Sequence, residues 1–145
     1  MGYYQEQVAY GRDHPAYPSM SNPPLILYVE DNPDNRKLVT RLLMAYEFHI
    51  HAVADGPAGL AFAAESTPNL ILLDISMPGM DGYEVIHRLR QMEHLAAVPI
   101  IALTANVMKE DQRKSAEAGF DGFIQKPISI DTFPEQLMAY MKVAK

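Results

Sequence analysis

The chain contains no cysteine and no tryptophan, and it lacks any long apolar run. The absence of cysteine excludes a disulfide framework, thiolate zinc sites and cysteine nucleophiles. No apolar stretch approaches the about 20 residues that a membrane-spanning helix needs. The first ten residues lack the basic and apolar regions of a secretory signal peptide. We therefore expect a cytoplasmic protein with no membrane partner.

Basic residues are in the minority, with 12 Lys and Arg against 18 Asp and Glu, for a net charge of -6. This balance argues against nucleic acid as the main partner, because an acidic surface repels phosphates. Apolar residues make up 48% of the chain, which is enough for a hydrophobic core, and 145 residues fit one domain of ordinary size.

Residues 1–24 differ in composition from the rest of the chain. They contain four tyrosines and four prolines but almost no aliphatic residues. Such a composition is typical of flexible or extended chain. We predict a flexible leader over 1–24 and a single folded domain over 25–145.

From residue 25 onward, short apolar runs alternate with segments whose apolar residues recur at helical spacing. The runs predict strands at 25–29, 48–53, 70–73, 99–103 and 122–124. The helical segments begin near residues 33, 55, 85, 109 and 131. Five strands alternating with five helices indicate an α/β fold, in which a parallel sheet has helices on both faces.

Polar residues stand where these apolar strands end. Glu30 and Asp31 follow the first strand, Asp74 the third, Thr104 the fourth and Lys126 the fifth. With the strand order 2-1-3-4-5, these residues converge at one edge of the sheet, where ligands of such sheets bind. Three carboxylates so close together would repel one another, and a hard divalent cation such as Mg²⁺ would neutralise them.

A magnesium ion beside a carboxylate, with an ammonium and a hydroxyl nearby, is an arrangement suited to a phosphoryl group. The cation and the ammonium would spread the negative charge of a phosphoryl group in transfer. Asp74 could then be the nucleophile that receives it.

The sequence resembles the receiver domains of two-component response regulators over residues 24–143. The resemblance is carried by the segments VEDN (29–32), LLDISMPGMDG (72–82), LTA (103–105) and QKP (125–127). It implies a flavodoxin-like receiver fold with a five-stranded parallel sheet in the order 2-1-3-4-5. It also implies Mg²⁺ as the cofactor, with Mn²⁺ as a substitute.

The resemblance assigns roles at the acidic site. Asp74 would be the phosphoacceptor and a metal ligand. Asp31 would bind Mg²⁺ directly, Glu30 mainly through water, and Ser76 through its backbone carbonyl. Ser76 and Asn106 occupy positions whose side chains tune the dephosphorylation rate in the family.

The remaining implied roles concern the response to phosphorylation. Thr104 would bond to one phosphoryl oxygen and Lys126 to another. Phe123 would be the aromatic residue whose rotamer changes with phosphorylation, although the family often has tyrosine there. Pro127 would follow a cis peptide bond.

The function implied is that of a phosphoacceptor in signal transduction, without an output domain. A histidine kinase or histidine phosphotransfer protein would donate the phosphoryl group. A downstream protein target would then bind the face formed by the fourth helix, the fifth strand and the fifth helix. Such a domain is not an enzyme in the ordinary sense, although slow self-catalysed phosphorylation and dephosphorylation are expected.

Other interpretations of the same residues stay open at this point. The chain could be a receiver domain taken from a hybrid kinase, or a small phosphatase that uses an aspartyl-phosphate. The haloacid dehalogenase group of phosphatases places a second acid two residues after the nucleophile, where this chain has Ser76. A flavodoxin-like electron carrier is disfavoured, since the acidic loop after the first strand would repel a cofactor phosphate. Glu30 and Asp31 could also serve only to cap a helix.

Overall fold

Strands and helices alternate along the chain in the computed structural model, which describes residues 23–76, 82–105 and 108–143. The strands are β1 (Leu25–Val29), β2 (His49–Val53), β3 (Leu70–Asp74), β4 (Ile100–Thr104) and β5 (Gly122–Gln125). The helices are α1 (Pro33–Ala45), α2 (Gly56–Glu65), α3 (Gly82–Arg90), α4 (Lys109–Ala118) and α5 (Phe133–Val143). The first 22 residues of the predicted leader lie outside the described residues, as does Asn106.

The five strands form one parallel sheet in the order β2-β1-β3-β4-β5, as predicted. Strand β1 pairs with both β2 and β3, so that Val29 lies beside Val53 on one side and Leu73 on the other. On the far side of β3, Asp74 lies beside Leu103. The carboxyl ends of the strands therefore reach the same edge of the sheet.

The hydrophobic core lies on both faces of the sheet. One face packs against α1 and α5 through residues such as Tyr28, Leu43 and Phe133. The other face packs against α2 and α3 through residues such as Leu27 and Ile86. All five residues of β3 and of β4 are buried, as expected of central parallel strands covered on both sides.

The outer strand β2 is less buried than its neighbours. His49 and His51 on this strand are exposed. The His51 ring stacks on Phe62 of α2 with 3.8 Å between the ring centroids. Among the described residues, the one cluster of side chains that could hold a metal ion does not include these histidines.

Side-chain caps define where two helices begin. The Asn32 side chain accepts hydrogen bonds from the backbone N–H groups of Asp34 and Asn35, at 2.8 and 3.0 Å, and so caps α1. Asp55 caps α2 by accepting from the Ala58 N–H at 2.8 Å, which agrees with the predicted start of this helix near residue 55. Because Asn32 caps α1, neither Glu30 nor Asp31 is needed for that purpose.

The structure differs from the sequence-based expectation in details of the boundaries. Helix α5 begins at Phe133, slightly later than expected, because the preceding segment forms a turn in which the Phe133 N–H donates to Ser129 O. A short 3-10 helix at Glu93–Leu95 was not predicted. None of the described helices has the length and apolar character needed to cross a membrane.

Candidate functional site

Lys126 joins the ends of three strands at the carboxyl edge of the sheet. Its Nζ atom lies 3.1 Å from Asp74 Oδ2 at the end of β3 and 3.5 Å from Glu30 Oε1 just after β1. These residues are 52 and 96 positions away from Lys126 in the sequence. The parallel sheet therefore brings together residues that the sequence places far apart.

Three carboxylates form a compact acidic cluster beside this lysine. Glu30, Asp31 and Asp74 each offer an oxygen, and these oxygens all lie within 4.8 Å of one another. Glu30 and Asp74 are 1% and 2% exposed, whereas Asp31 is open to solvent. Oxygen donors at this density, open on one side, fit a hard divalent cation that keeps some of its water.

The surroundings of Glu30 and Lys126 shift the pKa values of both side chains upward. Burial raises the pKa of Glu30, and the nearby Asp74 carboxylate raises it further. For Lys126, burial lowers the pKa, but contact with Asp74 and Glu30 outweighs burial and the net shift is upward. Lys126 is therefore held in its charged form, while the ionised form of Glu30 is costly.

Both oxygens of Asp74 have partners that fix the carboxylate. Oδ1 accepts a hydrogen bond from the Ser76 backbone N–H at 2.9 Å, and Oδ2 lies against Lys126. The carboxylate is thus held in one orientation at the mouth of the site. A carboxylate that is held in one orientation is better placed to attack a bound group than a mobile one.

The other predicted residues lie around this centre. Thr104 is buried at the end of β4, and its backbone carbonyl accepts from the Lys126 N–H at 2.8 Å. Phe123 of β5 is half-buried and packs against the core on the α2 and α3 side. The peptide bond between Lys126 and Pro127 is cis. Ser76 is exposed next to Asp74, and Asn106 lies outside the described residues.

Sequence reasoning missed two side chains that hold Glu30 in place. The hydroxyl of Tyr28 donates to Glu30 Oε1 at 3.2 Å, and Arg36 Nη1 donates to the Glu30 backbone carbonyl at 2.7 Å. Tyr28 precedes Glu30 by two positions on the same strand, so both side chains lie on one face of the sheet. That spacing is the available signal, but Tyr28 stands in an apolar run, where a side chain is usually part of the core.

A pocket of about 360 Å³ opens beside Lys126. Its lining is mostly apolar and comes from β1 and the residue after it, from α1, and from the segments that follow β4 and β5. The lining residues are Tyr28, Glu30, Asn35, Leu38, Val39, Ala105, Lys126, Pro127 and Ile128. Glu30 of the acidic cluster and Lys126 therefore also line this cavity.

Comparison with known proteins gives the same picture. The family model described as the response regulator receiver domain matches residues 26–138. The polar-differentiation response regulator DivK of Brucella anthropi is 36% identical over 119 residues, which cover 82% of this chain and 97% of the relative. DivK of Brucella ovis is 37% identical over 116 residues, with 80% and 94% covered.

Solved structures match as well. The receiver domain of the sensor histidine kinase PA1611 from Pseudomonas aeruginosa, solved with a magnesium ion coordinated in its active site cleft, is 31% identical. It gives a TM-score of 0.77, with 83% of this chain and 99% of that chain covered. The chemotaxis protein CheY4 of Vibrio cholerae gives a TM-score of 0.79 at 26% identity, covering 82% and 99%.

Proposed function

Because the chain belongs to the response regulator receiver domain family, we propose that it accepts a phosphoryl group on Asp74 during two-component signalling. The contact between Lys126 Nζ and the buried Asp74 carboxylate, at 3.1 Å within a cluster of three acids, carries this proposal. The donor is a histidine kinase or a histidine phosphotransfer protein. In the transfer, the phosphorus–nitrogen bond of a phosphohistidine breaks and a phosphorus–oxygen bond forms at Asp74.

The side chains around Asp74 have distinct parts in this transfer. The ammonium of Lys126 neutralises negative charge on the phosphoryl group, since contact with two carboxylates keeps it protonated. The Thr104 hydroxyl bonds to a phosphoryl oxygen from the end of β4. The fixed orientation of Asp74 reduces the entropy that is lost in reaching the transition state.

Asp31, Asp74 and the Ser76 backbone carbonyl would hold Mg²⁺ or Mn²⁺, and Glu30 would contribute mainly through water. The bound cation supplies charge neutralisation at the phosphoryl oxygens. The carboxylate cluster supports this assignment, since its oxygens lie within 4.8 Å of one another. The magnesium ion in the cleft of the PA1611 receiver domain supports it further.

The output is a protein–protein interaction. Phosphorylation of Asp74 draws Thr104 toward the site and changes the rotamer of Phe123, which alters the face formed by α4, β5 and α5. A downstream protein binds or leaves that face. Ser76 and Asn106 set the lifetime of the phosphoryl group, and the chain acts in the cytoplasm.

Intact-mass measurement after incubation with acetyl phosphate tests the proposal. Wild-type protein gains one phosphoryl group when Mg²⁺ is present and none in EDTA. Asp74→Asn gains none, because an amide is a poor nucleophile. Asp131→Asn is the matched control, since Asp131 is an exposed acid outside the cluster, and it gains the group as the wild type does.

Two results would contradict the proposal. One is phosphorylation of Asp74→Asn to the wild-type extent, which would place the acceptor elsewhere. The other is an unmodified wild-type protein after exposure both to acetyl phosphate and to a phosphorylated histidine phosphotransfer domain.

A further inference from the structure

The hydrogen bonds of Glu30 leave little of its carboxylate free. Oε1 lies 3.2 Å from the Tyr28 hydroxyl and 3.5 Å from Lys126 Nζ, and Oε2 accepts from the Asn32 N–H at 3.2 Å. A carboxylate offers about four acceptor directions, so that these three donors leave one, which is on Oε2. Glu30 can therefore offer a cation, or the cation's water, one oxygen rather than two.

Tyr28 is well placed to keep its hydrogen bond to Glu30 Oε1. Its side chain is fully buried in the core, and β1 is paired with β2 on one side and with β3 on the other, which fixes the position of Tyr28. Lys126, by contrast, divides its contacts between Glu30 and Asp74.

The number of free oxygens matters because divalent cations differ in what they accept. Ca²⁺ takes about six to eight oxygen ligands and readily binds both oxygens of one carboxylate. Mg²⁺ requires a near-octahedral set at shorter distances, keeps several waters and binds few carboxylate oxygens. An acid limited to one free oxygen thus suits Mg²⁺ and denies Ca²⁺ a bidentate ligand.

We propose that Tyr28 is a positioning residue that sets the cation preference of the acidic cluster. Its hydroxyl occupies Glu30 Oε1, prevents Glu30 from binding a cation through both oxygens and thereby favours Mg²⁺ over Ca²⁺. The inference rests on the proposed function, because it concerns the cation that assists phosphorylation of Asp74. It goes beyond that function by assigning selectivity to a residue that touches neither the cation nor the phosphoryl group.

Calorimetric titration with MgCl₂ and with CaCl₂, in the absence of any phosphodonor, tests this on the wild type and on Tyr28→Phe. The variant keeps the ring but loses the hydroxyl. We expect the ratio of Mg²⁺ affinity to Ca²⁺ affinity to fall by roughly tenfold. Loss of a ligand's hydrogen-bond partner changes metal affinity by about 10- to 100-fold, and tenfold is the low end of that range. Tyr140→Phe is the matched control, because it removes a hydroxyl from a partly buried tyrosine of α5 and leaves the ratio unchanged.

A double-mutant cycle separates this selectivity from a general effect on the fold. In a Glu30→Gln background, Tyr28→Phe has no further effect on the ratio, since Tyr28 acts through Glu30. Melting temperatures in EDTA report on folding alone, and Tyr28→Met takes the place of Tyr28→Phe if that variant does not fold. An unchanged ratio in a folded Tyr28 variant would overturn the inference.

The proposed function and this inference fail in different ways. A wild-type protein that binds neither cation would overturn both. A wild-type protein that binds Mg²⁺ and is phosphorylated on Asp74, together with a Tyr28→Phe ratio equal to its own, would overturn the inference alone.

Discussion

Arg90 joins separate segments of the chain through one guanidinium group. Its Nε donates to the Gly119 carbonyl at 3.0 Å, and Nη1 donates to the carbonyls of Leu95 and Val98 at 3.2 and 3.1 Å. Nη2 forms an ion pair with Asp121 at 2.7 Å. Arg90 therefore links the end of α3 to the segment before β4 and to the turn before β5.

Replacement of Arg90 by lysine should cost stability although the charge is kept. A lysine ammonium cannot reproduce the planar set of donors, so that several carbonyls lose their partner. We expect Arg90→Lys to lower the free energy of unfolding by about 2 kcal/mol in urea denaturation. Arg88→Lys on the same helix is the control, because Arg88 is exposed and pairs with Glu84 at the surface, where the loss is at most about 0.5 kcal/mol. Equal losses in the two variants would contradict this reasoning.

The acidic cluster could be predicted at the residue level, but its supporting bonds could not. Glu30, Asp74 and Lys126 stand at the ends of apolar strands, and parallel strands bring their carboxyl ends to one edge. Tyr28 is marked only by its spacing of two residues from Glu30, and Arg90 carries no signal in the sequence, since its role depends on distant carbonyls. Pattern alone places such residues on a face but does not select their partners.

The packing of α5 against β5 requires a glycine at position 122. A Cβ atom at Gly122 would lie 2.5 Å from Cε1 of Tyr140 and closer still to its hydroxyl oxygen. Tyr140 packs against the core from α5, so it cannot move away freely. Glycine in β5 therefore makes room for the tyrosine of the helix that covers it.

Gly122→Ala should destabilise the protein through this contact. We expect a loss of about 1 to 3 kcal/mol in the free energy of unfolding, the usual cost of overfilling a packed site. In a Tyr140→Leu background the loss from Gly122→Ala becomes smaller, because the ring is absent. Chemical denaturation of the four proteins of this cycle measures the coupling, and an equal loss in both backgrounds would show that the clash lies elsewhere.

At the level of elements, alternating apolar runs and helical spacing predicted the five strands and the five helices, whereas the strand order was implied by the family resemblance. The start of α4 at Lys109 agrees with the prediction, and the helix ends at Ala118 because Gly119, with φ of 112°, adopts a left-handed conformation. The 3-10 helix at Glu93–Leu95 was missed, since three residues are too few to show a period. The late start of α5 depends on a local turn that no pattern encodes.

For the molecule as a whole, the buried acid Glu30 is a source of instability. The unfolded chain loses the Glu30 proton near the ordinary pKa of 4.5, whereas the folded protein holds that proton to higher pH. Rising pH therefore favours the unfolded state through this group, and its contribution to stability is full only below that value. The buried Glu30 carboxylate therefore lowers the stability of the protein without a cation, although the same carboxylate belongs to a cluster that can hold one.

Glu30→Gln should stabilise the protein at neutral pH when EDTA removes divalent cations. The neutral amide avoids the cost of burying a charge near Asp74, and each 1 kcal/mol gained raises the melting temperature of a domain of this size by roughly 4 °C. The gain disappears as the pH is lowered past the ordinary glutamate pKa, because both side chains are then neutral. Thermal denaturation across pH measures this, with exposed Glu65→Gln as a control that shows no such gain. A lower melting temperature for Glu30→Gln at neutral pH would mean that its contacts with Lys126 and Tyr28 outweigh the cost of burial.

The contact between Glu30 and Lys126 spans 96 positions of the sequence. During synthesis on a ribosome, the amino-terminal strands emerge well before β5, so the early chain carries Asp74 without its ammonium partner. Under the proposed function, a growing polypeptide therefore accepts no phosphoryl group on Asp74 until β5 has joined the sheet. The proposed signalling activity therefore begins only after β5 has been synthesised and has folded into the sheet.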